Sequence, residues 1–169
     1  MKTRKPQKAL ARVKHQLRKP RIAIIQSRFN PVVTDGLLKG AQGYLSQQGI
    51  PFDESTQLFH APGAFEMPLL AQALARSKKF DAVVCLGCVI KGDTAHFEFI
   101  SLGSAVGVQQ AALSTGVPIT FGVLTTYTQE QAEVRSLADS HNKGIEAAAA
   151  AVEAWVELSR ISVQSRLKS

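Results

Sequence analysis

Cysteine is nearly absent: the 169 residues hold two, Cys85 and Cys88. Both lie in an apolar, strand-like run, where side chains alternate between the two faces of a sheet. Positions three apart then point opposite ways, and a disulfide between them is not expected. A Cys-x-x-Cys pair can also hold zinc or act as a redox dithiol. With no second pair and no histidine cluster beside it, buried structural thiols are the expectation, with no metal site. Also missing is any apolar run near the roughly 18 residues that cross a bilayer, and any apolar core of a secretory signal at the N-terminus. The expectation is a cytoplasmic protein with no membrane partner.

Acids are missing from the first twenty residues, MKTRKPQKALARVKHQLRKP, which carry eight cations. Residues 21–169 hold 12 cations against 13 acids, so the net charge of +7 belongs to the terminus and not to the fold. Residues 1–20 read as a flexible, solvated basic extension, with contact to RNA, polyphosphate or other anionic cargo as the alternative. With 45% of its residues hydrophobic, the chain is long enough for one well-filled core. Residues 21–160 read as that domain and 161–169 as a C-terminal tail.

What is present is a repeated unit. RIAIIQ (21–26) reads as a strand buried on both faces, and SRFNP ends it. Asn30 as cap and Pro31 at the first helical position start a helix striped by Val33, Leu37, Ala41 and Leu45. The unit recurs as a strand over 55–60, the turn APGAFEMP and a helix near 68–76. It recurs again as a strand over 80–90, the turn KGDTA and a helix over 96–115. The strand 117–126 follows. Thr128 with Gln131 then forms a capping box for a helix to about Ala138, and Asn142 caps a long last helix. Strands alternating with helices predict an α/β fold, a four-stranded parallel sheet with helices on both faces.

In such sheets ligands sit beyond the carboxyl ends of the strands. The loops there, 27–30, 61–66, 89–96 and 125–128, hold Arg28, Phe29, Phe65, Glu66, Lys91, Asp93 and His96, a mixture suited to a flat polar aromatic ligand. His96 is the acid/base candidate, because an imidazole both takes and gives protons near neutrality. The alternative is a histidine that caps or packs under Phe97 and Phe99. Gly92, Asp93 and Thr94 favour the first reading, since backbone amides and a hydroxyl at a helix start suit an oxyanion or phosphate. IKGD lacks the spacing of a nucleotide-binding P-loop. Arg135 and Lys143 read, by themselves, as surface cations, and His60 and His141 as structural.

Six segments, SRFN, APGAFEMP, GCVIKGDTAHFEF, PITFGVLTT, EQAEVR and HNKGIEAA, occur in an order and spacing that resembles the 6,7-dimethyl-8-ribityllumazine synthase family over residues 21–158. The resemblance implies a three-layer, flavodoxin-like sandwich. It also implies condensation of 5-amino-6-(D-ribitylamino)uracil with 3,4-dihydroxy-2-butanone 4-phosphate, releasing phosphate and water, with no cofactor. Carried over, Phe29 stacks on the pyrimidine, while Ala64, Phe65, Glu66, Cys88, Val89 and Ile90 contact the uracil and ribityl chain. His96 shuttles protons. Asp93 and Thr94 line the butanone phosphate, Arg135 binds its phosphate, Lys143 contributes to substrate binding, and Phe121 arrives from the adjacent subunit. The implied assembly is a homo-oligomer built from pentamers, with riboflavin synthase a candidate partner and nucleic acid not an expected one.

Lys91 stands where that family often has arginine, Asp93 where it often has glutamate, and SLADSH (136–141) replaces a glycine-bearing linker found in capsid-forming members. That linker and the eight tail cations favour a pentamer or a pair of pentamers over a sixty-subunit shell. A non-catalytic scaffold of the same fold, holding flavin or anionic cargo, is the competing reading.

Overall fold

The structure, a computed structural model, describes residues 18–166. Its elements run β1 (Ile22–Ser27), α1 (Pro31–Gln47), α2 (Glu54–Gln57), β2 (Leu58–Ala61), α3 (Met67–Arg76), β3 (Ala82–Ile90), α4 (His96–Thr115), β4 (Ile119–Thr126), α5 (Gln129–Glu133) and α6 (Lys143–Arg166). The four strands form one sheet in the order β2-β1-β3-β4, and every pairing is parallel. Central β1 is buried along its whole length, which is why its sequence is an unbroken apolar run.

Alternation along the strands sorts the core into two layers. Ile22, Ile24, Val84, Leu86 and Cys88 meet Val33, Leu37 and Leu45 of α1 and Ala147, Ala148 and Ala151 of α6. Ala23, Ile25, Val83 and Cys85 meet Met67, Ala71 and Ala75 of α3 and Val108 and Ala111 of α4. This is the expected three-layer, flavodoxin-like sandwich. Cys85 and Cys88 fall in opposite layers, both free. Burial pushes the Cys85 thiol up to about 12 and the Cys88 thiol up to about 11.

Four local expectations need correction. Residues 55–57 are helical and not strand, because Asp53 Oδ1 accepts the Ser55 amide (3.0 Å) and hydroxyl (2.8 Å) and winds α2 before β2 begins at Leu58. Asn30 stands ahead of α1 in the left-handed region (φ 56°) and makes no side-chain cap. Its Nδ2 donates to the Cys88 carbonyl (3.0 Å), so the end of β1 is tied to the end of β3. Thr128 does cap α5, accepting the Gln131 amide (3.2 Å), yet Gln131 Oε1 accepts from Tyr127 and the helix stops at Glu133, not Ala138. Arg135 and Ser136 then bond three residues back, tightening the chain into the linker. Finally, the last helix, α6, does not end with the run KGIEAAAAAVEAWVELSR at Arg160 but continues through Arg166.

At the amino-terminal ends of the central strands, Arg18 Nη1 and Nη2 clasp the Asp81 carboxylate (both 2.7 Å), and the Arg21 amide donates to the same group (2.7 Å). Desolvation pushes that carboxyl up, but the hydrogen bonds from Arg18 and Arg21 outweigh it and hold the group well below the usual carboxylate range. The rest of the basic extension, residues 1–17, lies outside the described residues, as do 167–169.

Candidate active site

The parallel sheet brings the ends of β1, β2 and β3 side by side, and their loops build one cluster. Glu66 Oε2 accepts the Gly63 amide (3.0 Å) and closes the 62–66 turn. The Phe29 ring lies against Gly63, where an added Cβ would come within 3.2 Å of it. Phe65 reaches across to Gly103 of α4. Phe29 and Phe65 are 67% and 56% exposed, two large apolar faces presented to solvent at the strand ends, while Ala64, beside Phe65, is buried in the core. Water leaves such surfaces readily for a flat ring. Cys88 is buried beneath, and Val89 and Ile90 are half-buried on the way out of β3.

The loop from Lys91 to Ala95 is exposed, and His96 opens α4, also exposed, so the packed-histidine alternative is not what the fold adopts. The Thr94 hydroxyl accepts the His96 amide (3.4 Å), which orders the helix start, and Asp93 stays at the rim. Lys91 is committed elsewhere. Its Nζ bonds Glu98 Oε1 (2.8 Å) and sits 5.8 Å and 5.6 Å from the centroids of Phe97 and Tyr127. The Glu98 bond raises the Lys91 ammonium's affinity for its proton and, in return, lowers the Glu98 carboxyl. Tyr127 was not anticipated. Its place follows from the parallel register Ile90↔Thr126, which sets the residue after β4 beside the loop after β3.

Phe121, Arg135 and Lys143 lie apart from this cluster. They share a cavity of about 510 Å³ along the outer edge of β4, walled by residues 120–126 and by Glu146, Ala147 and Ala150 of α6. Arg135 Nη1 donates to the Gln131 carbonyl (2.8 Å) and Lys143 Nζ to Glu146 Oε1 (2.7 Å). Two cations that the sequence alone left as surface charges thus face one space with an aromatic ring, a combination suited to a phosphate attached to an organic body. None of Phe29, Ala64, Phe65, Glu66, Cys88 and His96 lines it.

The profile of 6,7-dimethyl-8-ribityllumazine synthases matches residues 19–159. The chain belongs to that family. A 6,7-dimethyl-8-ribityllumazine synthase 1 from Caulobacter vibrioides is 58% identical over 142 residues, covering 84% of this chain and 92% of the relative. A 6,7-dimethyl-8-ribityllumazine synthase from Edwardsiella ictaluri is 50% identical over 133 residues, 79% and 85% of the two chains. Membership makes the chain a transferase of riboflavin biosynthesis, a lumazine synthase whose fold and strand-end loops are those described above. Among the described residues, no three His, Cys, Asp or Glu side chains gather as a metal site, and no helix is long and apolar enough to cross a membrane.

Proposed function

We propose that the lumazine synthase reaction runs in a site completed by two neighbouring copies of this chain. The observation that carries the reading is the division of the expected residues into two groups on one chain. The strand-end cluster holds His96 and the exposed aromatics, and the β4-edge cavity holds Phe121, Arg135 and Lys143. A neighbour that sets its β4 edge over the strand ends joins them. An apolar face is available for such a neighbour, since Leu69 of α3 and Phe99, Leu102 and Leu113 of α4 are largely exposed. A head-to-tail contact of this kind closes into a ring, and a pentamer or a pair of pentamers is the assembly that the SLADSH linker and the tail cations favour over a sixty-subunit shell.

In that site one copy stacks the pyrimidine on Phe29 and holds the uracil and ribityl chain along 64–66 and 88–90. Asp93 and Thr94 line the butanone phosphate, whose phosphate lies against the neighbour's half-site of Arg135 and Lys143. The pyrimidine's amine attacks the ketone carbon. The carbinolamine loses water to give an imine, and loss of the C3 proton expels phosphate from C4 with its bonding pair. The resulting enol tautomerises to a C3 ketone, and the ribitylamino nitrogen closes on that carbon with loss of a second water. Each step moves a proton, and His96 is the group placed to move it. Holding two small substrates in contact supplies on the order of 7 to 11 kcal/mol of the acceleration. The same reading places the reaction in the cytoplasm, with riboflavin synthase as a candidate partner.

The test is complementation. His96→Ala lowers turnover by about 10²-fold to 10⁴-fold, the usual contribution of general acid/base transfer, and Arg135→Ala impairs the other half-site. Co-assembled in equal amounts, the two variants regain about a quarter of the native sites, because a random head-to-tail ring pairs an intact His96 with an intact Arg135 that often. No recovery in mixed rings shows that the site lies within one chain. Light scattering on the same samples should give about five or ten times the chain mass of 18.2 kDa.

A further inference from the structure

Asn142 is 1% exposed, and its amide is fully used. Oδ1 accepts the Gly144 amide (2.8 Å) and so caps α6. Nδ2 donates to the carbonyls of Ser136 (3.0 Å), Leu137 (2.8 Å) and Gly36 (3.1 Å). Three carbonyls on one side and one N–H on the other leave a single orientation that satisfies every partner. One side chain therefore joins α1, the 136–141 linker and the first turn of α6. Gly40 of α1 passes so close to this amide that a Cβ there would overlap it.

Arg135 and Lys143 are the two ends of the loop that Asn142 fills. The chain leaves α5 at Glu133, passes Arg135 two residues on and re-enters helix at Lys143, and the Lys143 amide donates to the Arg135 carbonyl (2.9 Å), closing the loop at its neck. Both side chains line the β4-edge cavity, and Asn142 does not. The linker SLADSH has no glycine to set its own turns. Its Ser136 and Leu137 carbonyls are instead gathered by the Asn142 amide, which leaves those groups paired although they face inward.

We propose that Asn142 is a positioning residue for the phosphate half-site: it sets the separation of Arg135 and Lys143 across the cavity without touching substrate. The inference rests on the reading of that cavity as the phosphate half-site. Two cations grip a phosphate well only at matched spacing, so loosening the neck weakens the phosphate ester while the pyrimidine, held by other loops, is unaffected. Asn142→Asp is the sharpest perturbation. It keeps the volume and the acceptor for Gly144 but turns a carboxylate toward three carbonyl oxygens, which forces the linker open.

Steady-state kinetics on the assembled enzyme, with each substrate varied in turn, reads the effect. Asn142→Asp should raise KM for the butanone phosphate at least tenfold, leave KM for the ribitylaminouracil within twofold, and weaken inorganic phosphate binding by calorimetry in parallel. Asn142→Ser, which keeps a hydroxyl acceptor for Gly144 and adds no charge, should show the same split more mildly, and it serves as the test if the Asp variant does not fold. An unchanged KM for the butanone phosphate overturns the inference, as does a rise in both KM values together with a lost oligomer, which makes Asn142 a cap and no more. Arg135→Ala is run beside them. If it leaves phosphate binding intact, the cavity itself was misread; if it weakens phosphate and the Asn142 variants do not, only the positioning role fails.

Discussion

Gly103 and Gly107 lie one turn apart on α4, and alanine at each should have opposite effects. A Cβ at Gly103 would stand 2.8 Å from Phe65 Cε2 and 3.3 Å from its Cδ2. Relief needs the ring edge to retreat by about 0.6 Å, and a ring more than half exposed can swing outward for about 0.5–1.5 kcal/mol. Alanine in a helix interior returns about 1 kcal/mol relative to glycine, so the two nearly cancel. At Gly107 the Cβ would meet Pro68 Cγ and Cβ at 2.7 Å and 2.8 Å. That ring is fixed to the backbone at the head of α3 and cannot swing, so α3 must move off α4, at an overpacking cost of about 1–3 kcal/mol that the same helix gain of about 1 kcal/mol only partly offsets.

Thermal denaturation should therefore find Gly103→Ala within about 3 °C of the parent and Gly107→Ala lower by several degrees, at roughly 2–4 °C per kcal/mol for a chain of this size. KM for the ribitylaminouracil should order them the other way. A displaced Phe65 forfeits part of its contact with the uracil and ribityl chain, on the scale of the about 1–3 kcal/mol of an aromatic against a base, so Gly103→Ala should weaken pyrimidine binding about fivefold or more. A Gly103→Ala protein that melts lower than Gly107→Ala, or that binds the pyrimidine as the parent does, refutes the placement of Phe65 over the substrate.

Three further outcomes can be checked separately. Arg135→Ala should raise KM for the butanone phosphate by 10-fold or more, since a charge-assisted bond contributes about 1.5–3 kcal/mol, and leave the pyrimidine's KM near native. Asp81 has a lowered folded pKa, so its contribution is present above its unfolded value of about 3.9 and is lost as the pH falls below it; the parent should lose melting temperature between about pH 4 and 2 more steeply than Asp81→Asn. Cys85 and Cys88, buried and with their thiols pushed up to about 12 and about 11, should resist aromatic disulfide reagents at pH 8 until the protein is unfolded; rapid native labelling would contradict their placement in the two core layers.

The sheet was legible because parallel strands buried on both faces leave unbroken apolar runs, and a run long enough also reveals its alternation, as with the opposed Cys85 and Cys88. The strand-helix alternation likewise put Phe29, Phe65 and His96 at the strand ends, where all three are exposed. What stayed hidden depends on partners distant in sequence. Asn30 has every local mark of a cap, yet its amide is drawn 58 residues away to the Cys88 carbonyl. Asp53 outcompetes the β-forming Thr56 by accepting from Ser55, a local bond that no apolar pattern records. Asn142 could be read as a helix cap from its neighbours, but the Gly36 carbonyl that makes it a hub lies on another helix. Arg135 and Lys143 acquire meaning only once the β4 edge is seen to run between them.

The clasp of Arg18 and Arg21 on Asp81 fixes where the chain enters the domain, at the amino-terminal ends of the strands, remote from the loops at their carboxyl ends. The six residues of β1 separate the two ends of the strand by about 20 Å at about 3.3 Å per residue. An affinity handle, a fluorophore or a second enzyme joined directly at Arg18 would thus start from a pinned root, a strand's length from the strand-end loops. The domain comes with an attachment port insulated from its own chemistry.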